Sequence, residues 1–364
     1  MLPWESAPAR YEQLFRDKAD RVEASFAAFG CPVAQRFASP SEGYRARAEF
    51  RVWHEGDDLD YVMFDPRDPR TPVRTARFPA ALESIQALMP KLLMQLRDSP
   101  LLRKRLFQVE FMGSTTGDLL VTLAYHRKLD SEWVESAAAL ARELSIAIVG
   151  RSRKQKEVIG RDFISEQFTV QGRAYQYRQY EQAFAQPNAP VNTHMLNWVC
   201  DRAADLNGDL LELYCGNGNF TLPLAEHFDA VLATELSKSG TRAAQENLLA
   251  NGIDNVAVAR LSAEEVSQAI RGEREFRRLA TLPQPLENYR LKTVFVDPPR
   301  AGLDPATLAC VQQFDTILYI SCNPKTLREN LEALHETHAV SDFALFDQFP
   351  YTDHMECGMK LVRR

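Results

Sequence analysis

The chain has 364 residues, 45% of them hydrophobic and 25% charged, an ordinary globular composition with length enough for two domains. Disordered, collagen-like and coiled-coil classes are excluded, and no run approaches the ~18 uninterrupted apolar residues of a membrane span. The formal net charge of −6 is unevenly spread. Residues 1–180 hold 27 Lys and Arg against 24 Asp and Glu, and the remainder holds 16 against 25. A mildly basic half joined to an acidic half is compatible with phosphate contact by the first. The opening Met1–Ser6 carries an acid and no basic flank before an apolar run, so it does not read as a secretory signal and a cytoplasmic location is expected.

Residues 8–29 read as an amphipathic helix, with Tyr11, Leu14, Phe15, Val22, Phe26 and Phe29 on one stripe and Gly30 as its stop. From Arg45 the period changes to two. Ala46, Ala48, Phe50 and Val52 face one way, while Arg45, Arg47, Glu49, Arg51 and Trp53 face the other. Taken alone, that second face reads as a solvated sheet surface with cross-strand ion pairs; the alternative is a platform for phosphates and bases. Strands near 59–64 and across 106–125, with a turn at Ser114–Asp118, helices near 80–97 and 131–144, and a strand at 145–149 complete an α+β module. Bases recur beside aromatics at Arg103–Phe107, at His126–Lys128 and between Arg151 and Lys156.

Near residue 185 the character changes. Gln186–Pro190 is a loop signal, and Asn192 or Thr193 is placed to cap a helix over 193–206. Seven apolar strand runs follow: Leu210–Tyr214, Ala230–Thr234, Val256–Ala259, Thr293–Val296, Thr316–Ile320, Phe343–Phe346 and Met359–Val362. Helices fit between the first five and before the sixth, whereas the last two are too close for a crossover and must pair antiparallel. Such alternation predicts a doubly wound, mostly parallel sheet with its ligand at the carboxyl ends of the strands.

Four segments carry chemistry. Leu210–Phe220 runs from an apolar strand into Cys215-Gly216-Asn217-Gly218-Asn219, and Glu235 stands nineteen residues after Gly216, where an acid accepts hydrogen bonds from ribose hydroxyls. The glycine series stops short of the full G-x-G-x-x-G that seats a pyrophosphate, which favours S-adenosylmethionine over NAD. Asp297-Pro298-Pro299-Arg300 forms a rigid wall at the tip of the fourth strand. Ser321-Cys322-Asn323-Pro324 ends the fifth strand, so Cys322 precedes the first turn of a helix, a position expected to lower a thiol pKa. The other cysteines (Cys31, Cys200, Cys215, Cys310, Cys357) lack such a context; no CxxC pair exists, and neither a disulfide framework nor a four-thiolate metal site can be written. His354 and Glu356, between the last two strands, are the acid–base candidates, and no zincin spacing accompanies them.

Leu-Tyr-Cys-Gly-Asn-Gly-Asn-Phe (213–220), Asp-Pro-Pro-Arg (297–300), Ser-Cys-Asn-Pro (321–324) and His-Met-Glu-Cys-Gly (354–358), in that order, resemble the S-adenosylmethionine-dependent RNA uracil-5 methyltransferases. The resemblance covers the whole chain, and the first half resembles the tRNA-modifying branch, which makes ribothymidine (m5U54) in the T-loop and also acts on transfer-messenger RNA (tmRNA). It implies an α/β fold: a Rossmann-like, doubly wound, seven-stranded class I methyltransferase domain at 181–364, with the last strand antiparallel, after an N-terminal α+β RNA-binding domain at 1–180 whose residues 1–40 pack on the catalytic domain. It implies Gln186, Tyr214, Gly216, Asn219, Glu235 and Asp297 as the cofactor site, Cys322 as nucleophile and Glu356 as proton acceptor. The oligonucleotide-binding barrel and four-cysteine iron–sulfur cluster of rRNA-modifying relatives are not expected, since the sequence opens on a helical pattern and Cys31 is the sole cysteine before Cys200. No metal, membrane or obligate protein partner is expected. Arg300 is assigned to the uracil, and Arg51, Phe107 and His126 to stacking against the opened T-loop. An RNA cytosine-5 or rRNA uracil-5 methyltransferase, a non-catalytic RNA-binding protein and an NAD-dependent oxidoreductase are the competing readings.

Overall fold

The computed structural model describes residues 6–65 and 68–364; the Met1–Glu5 part of the N-terminal reading lies outside the described residues. The chain opens with α1 (Pro8–Ala24), which buries Tyr11, Phe15, Ala19 and Val22. A 3-10 turn over Ala27–Phe29 ends at Gly30, whose φ of 63° supplies the left-handed stop expected there. A short strand, β1 (Gln35–Phe37), follows.

The next unit is a seven-stranded sheet built from β2 (Arg47–Glu55), β3 (Asp58–Asp65), β4 (Asp68–Arg74), β5 (Leu106–Gly113), β6 (Leu119–Tyr125), β7 (Ala147–Ser152) and β8 (Gln155–Ile159), in the order β4-β3-β2-β5-β6-β7-β8. Only β6 and β7 run parallel, joined through α4 (Ser131–Leu144); α2 (Glu83–Asp98) and the short α3 (Pro100–Arg103) link β4 to β5. Ala48, Phe50 and Val52 of β2 point into a core with Ile85, Leu92, Trp133 and Leu140, as alternation requires. The opposite face is not uniformly open. Arg51 is exposed, but Arg47 turns inward, its guanidinium donating to the carbonyls of Tyr180, Glu181 and Ala183, and Arg45 donates to the Arg47 carbonyl at 2.8 Å. The arginine row is therefore part clamp and part surface.

A hairpin unannounced by the sequence reading comes next: β9 (Phe163–Val170) and β10 (Arg173–Tyr180), joined at Gln171-Gly172, both with positive φ as a two-residue hairpin turn requires. Its buried face carries Glu166 and Gln179 among Ile164, Phe168, Val170, Tyr175 and Tyr177, and these polar members interrupt the apolar period. Phe168, Val170, Tyr175 and Tyr177 belong to the core of the C-terminal unit.

That unit contains α5 (Ala189–Ala203), β11 (Asp209–Leu213), α6 (Thr221–Leu224), β12 (Val231–Thr234), α7 (Lys238–Ala250), β13 (Val256–Ala259), α8 (Ala263–Ile270), β14 (Leu291–Val296), α9 (Pro305–Val311), β15 (Thr316–Ser321), α10 (Pro324–Leu334), β16 (His338–Phe346) and β17 (Glu356–Arg363). Helix α5 starts four residues earlier than expected. Asn188, rather than Asn192 or Thr193, is the cap, its side chain accepting from the Val191 amide, and Pro190 sits in the first turn, where its missing N–H costs nothing. The sheet order is β1-β16-β17-β15-β14-β11-β12-β13, a doubly wound arrangement with β17 antiparallel to both neighbours. The N-terminal segment adds β1 as an eighth strand, parallel to β16, and α1 packs its apolar stripe on the same core. No helix among the described residues is long and apolar enough to cross a membrane.

Packing is tight where β7 meets α4: a Cβ on Gly150 would lie 2.2 Å from Trp133 Cη2 and 2.7 Å from Leu129 Cδ1. Gly150→Ala is expected to lower stability by about 1–3 kcal/mol in urea unfolding, the cost of overpacking; an unchanged midpoint would contradict this packing.

Candidate active site

Backbone register gathers the motifs. Leu213 of β11 pairs with Thr234 of β12 and Val296 of β14, and Val296 pairs with Tyr319 of β15. Tyr214, Glu235, Asp297 and Cys322 thus leave neighbouring parallel strands at one edge. Strand β17 runs the other way, so its first residue arrives at that edge. Ser321 is opposite Cys357, which makes the following residue, Cys322, the neighbour of the preceding one, Glu356.

The glycine turn is shaped for close approach. Tyr214 has φ 63°, a left-handed value rarely adopted by a non-glycine residue, and turns the chain out of the sheet. Gly216 has φ 57° and open space where a Cβ would stand, whereas at Gly218 (φ 85°) a Cβ would lie 2.8 Å from Leu222 Cδ1. Glu235 accepts from the Gly216 amide at 3.1 Å and from the Ser237 amide at 2.6 Å, joining the ends of β11 and β12 across the turn. Asn219 and Asn192 of α5 exchange reciprocal amide hydrogen bonds of 2.9 Å. Gln186, buried just before α5, accepts from Gln348 Nε2 at 2.8 Å.

On the other side, the Arg300 carbonyl accepts from Asn323 Nδ2 and Thr326 Oγ1, tying the Asp-Pro-Pro-Arg wall to the start of α10. The Arg300 guanidinium is exposed and lies 3.3 Å from His354 Nδ1, and burial with Arg300 and Lys18 nearby lowers the His354 pKa, favouring the neutral ring. Three carboxyl groups converge. Glu356 is 3% exposed with Oε2 unpartnered, and burial followed by repulsion from Asp297 pushes its pKa well up. Asp297 is partly exposed as a residue, yet desolvation of its carboxyl raises it to about 7. Glu212, on β11, is 1% exposed with neither oxygen partnered, and burial raises it to about 8.

The thiol departs from expectation. Cys322 does precede α10, but burial, then Glu356 and Asp297, push its pKa up to about 11, and only Arg300 and a backbone hydrogen bond pull it down. Desolvation and two facing acids outweigh the helix terminus. Glu212 and Gln348 were missed by sequence reasoning, and Asn192 was read only as a helix cap. Glu212 had a usable signal, an acid within the otherwise apolar run Leu210–Leu213; Asn192 and Gln348 had none, because their partners lie across the fold.

In the N-terminal sheet, Arg51, Phe107 and His126 come together. The Phe107 and His126 rings stack with centroids 3.9 Å apart at 13°, and the Arg51 guanidinium lies 5.5 Å from the Phe107 centroid. Phe107 and His126 line a groove of about 590 Å³ with Arg127, Lys128, Arg151 and Arg153. No group of three or more His, Cys, Asp or Glu among the described residues is arranged to hold a metal ion.

The sequence model of the family described as tRNA (Uracil-5-)-methyltransferase matches residues 10–364. The chain belongs to the tRNA (uracil-5-)-methyltransferase family. It is similar to the tRNA/tmRNA (uracil-C(5))-methyltransferase of Aromatoleum aromaticum, 51% identical over 98% of this chain and 96% of that protein. The protein of the same name from Acinetobacter baumannii (strain ACICU) is 53% identical over 97% of this chain and 99% of its own. Among solved structures, that of Pyrococcus abyssi tRNA (uracil-54, C5)-methyltransferase in complex with S-adenosyl-L-homocysteine shares the fold, with TM-score 0.73 and 19% identity over 97% of this chain and 83% of that one. In this family member one edge of the sheet joins a glycine turn, a thiol and an acid beside that thiol.

A thiol held near 11 is mostly protonated at neutral pH, so its alkylation must accelerate as pH rises. Iodoacetamide labelling of Cys322, followed by peptide mass spectrometry, is expected to quicken by about tenfold per pH unit above neutrality. A plateau near neutral pH would show a depressed thiol instead.

Proposed function

We propose that this chain methylates C5 of the T-loop uridine of tRNA (m5U54, ribothymidine), and the equivalent uridine of tmRNA, through a transient bond between Cys322 and C6 of the base. As a member of its family it is an S-adenosylmethionine-dependent tRNA uracil-C5 methyltransferase. The observation that carries the mechanism is the ladder step that sets Cys322 beside Glu356 at the edge where the glycine turn opens.

The residues present fit the cofactor. Glu212, Asp297 and Glu356 are desolvated acids raised by burial, and the unpartnered buried oxygens of Glu212 and Glu356 suit a cationic ligand, whose charge would favour their carboxylate forms. Gly216 leaves room above the turn, and Glu235 stands where ribose hydroxyls are read. Tyr214, Gly216, Asn219, Glu235, Asp297 and Gln186 would hold S-adenosylmethionine, which when bound supplies an electrophilic methyl group on a sulfonium.

Uracil C5 is a weak nucleophile and needs covalent activation. Cys322, as thiolate, adds to C6 and moves the electron pair onto the C5–C4–O4 system. Arg300 favours the thiolate and, with Asp297 and Gln186, faces the base carbonyls. Once C5 carries the methyl, Glu356 as carboxylate takes the C5 proton; the electron pair re-forms the C5–C6 double bond and expels Cys322. Burial keeps Glu356 a strong base for that step, since a raised pKa means avid proton uptake. Extracting the uridine costs a few kcal/mol of unstacking, and Arg51, Phe107 and His126 offer a preformed stack to the opened loop.

Unmodified tRNA incubated with the protein and methyl-labelled S-adenosylmethionine is expected to yield labelled 5-methyluridine on nucleoside analysis. Label in 5-methylcytidine, or none, sinks the reading. Cys322→Ala is expected to abolish turnover, and Glu356→Gln to accumulate a protein–RNA adduct stable on denaturing gels; normal turnover by Glu356→Gln removes that residue from the mechanism.

A further inference from the structure

Glu356 has an unpartnered carboxylate oxygen, so its aim is set by the backbone that delivers it. That backbone is the connection between Phe346, the last residue of β16, and Glu356, the first of β17. Among the contacts that hold it, one side chain from the far end of the chain binds it at three points. Lys18 of α1 is 4% exposed, and its ammonium donates to Asp347 Oδ1 at 2.5 Å, to the Phe349 carbonyl at 3.2 Å and to the His354 carbonyl at 3.0 Å. Its three donors thus bind both ends of the connection at once. Asp347 is fully buried, also accepts from the Tyr11 hydroxyl at 2.8 Å, and donates its amide to the Phe37 carbonyl of β1. The next residue, Gln348, reaches Gln186, and His354, whose carbonyl Lys18 holds, contacts Arg300.

Burying an ion pair costs more in desolvation than an apolar pair of the same shape, so this pair is a poor source of stability and a good source of fixed geometry. We propose that Lys18 is a positioning residue for Glu356, acting through Asp347 and the carbonyls of Phe349 and His354. The proposal rests on the proton-acceptor role assigned to Glu356 above. Lys18 touches neither thiol nor base; it fixes the segment from which the acid and Gln348 project.

Lys18→Met leaves Asp347 buried without its cation and is paired with the double variant Lys18→Met/Asp347→Asn, which removes both charges at nearly constant shape. Both are assayed for kcat, KM for tRNA and adduct on denaturing gels, with thermal unfolding to confirm that they fold. The folded double variant is expected to lose about tenfold to a hundredfold in kcat, as misplacement by about 1 Å can cost. KM is expected to stay within about twofold, with adduct rising as in Glu356→Gln, because addition by Cys322 survives while proton removal slows. Wild-type kcat, or a loss of kcat without adduct, overturns the proposal. If Glu356→Gln in the same assay turns over without adduct, the proton-acceptor reading itself fails and takes this proposal with it.

Discussion

The site depends on one antiparallel strand. In an all-parallel sheet the carboxyl edge receives only strand ends, so each residue placed there is followed by a loop or helix. Inserting β17 between β15 and β16 with reversed direction brings a strand beginning to that edge. A side chain at a strand beginning is held by the ladder itself: Glu356 pairs with Phe346, and its successor Cys357 with Ser321. The acid therefore stands beside Cys322 by register, without needing a hydrogen bond of its own. A register slip of one residue would turn Glu356 to the opposite face of the sheet.

Around that ladder the site is assembled from an electrostatic conflict. Asp297 and Glu356 are desolvated near the Cys322 thiol, Glu212 is desolvated near Asp297, and Arg300, the cation acting on that thiol, is exposed. Left alone, Cys322, Glu212 and Glu356 favour their protonated forms, since burial disfavours each charge and neighbouring acids disfavour one another. A cationic ligand bound beside them would favour thiolate and carboxylate. A high thiol pKa also suppresses idle reactions of Cys322 in the free protein.

The N-terminal segment shows how far the site's support extends. Helix α1 and β1 precede the small sheet in sequence but join the core of the C-terminal unit, and the chain returns to that unit through the β9–β10 hairpin. The free backbone of β10 is met by Asn247 of α7 and by Asn251, which caps that helix, and Asn247 also reaches the Asn217 carbonyl in the glycine turn. Arg47 of the small sheet clamps the segment leading to Gln186. The two units are thus laced together next to the pocket.

Much of this was legible from local pattern. The seven strand runs, the turn after β11, the acid nineteen residues later and the cysteine before a helix follow from period, glycine placement and spacing, which are local properties. Strand β4, with Pro69 and Pro72, was hidden by prolines that only a sheet edge tolerates, and β9–β10 by Glu166 and Gln179 on its buried face. The Cys322 thiol was misjudged because a helix terminus is visible in sequence while desolvation and facing acids are not. Sequence alone determined the elements and the chemical inventory, because each depends on neighbours a few residues away. Tertiary structure decided proton affinities and partners such as Lys18 with Asp347, because burial and Coulomb forces act through space between residues hundreds of positions apart.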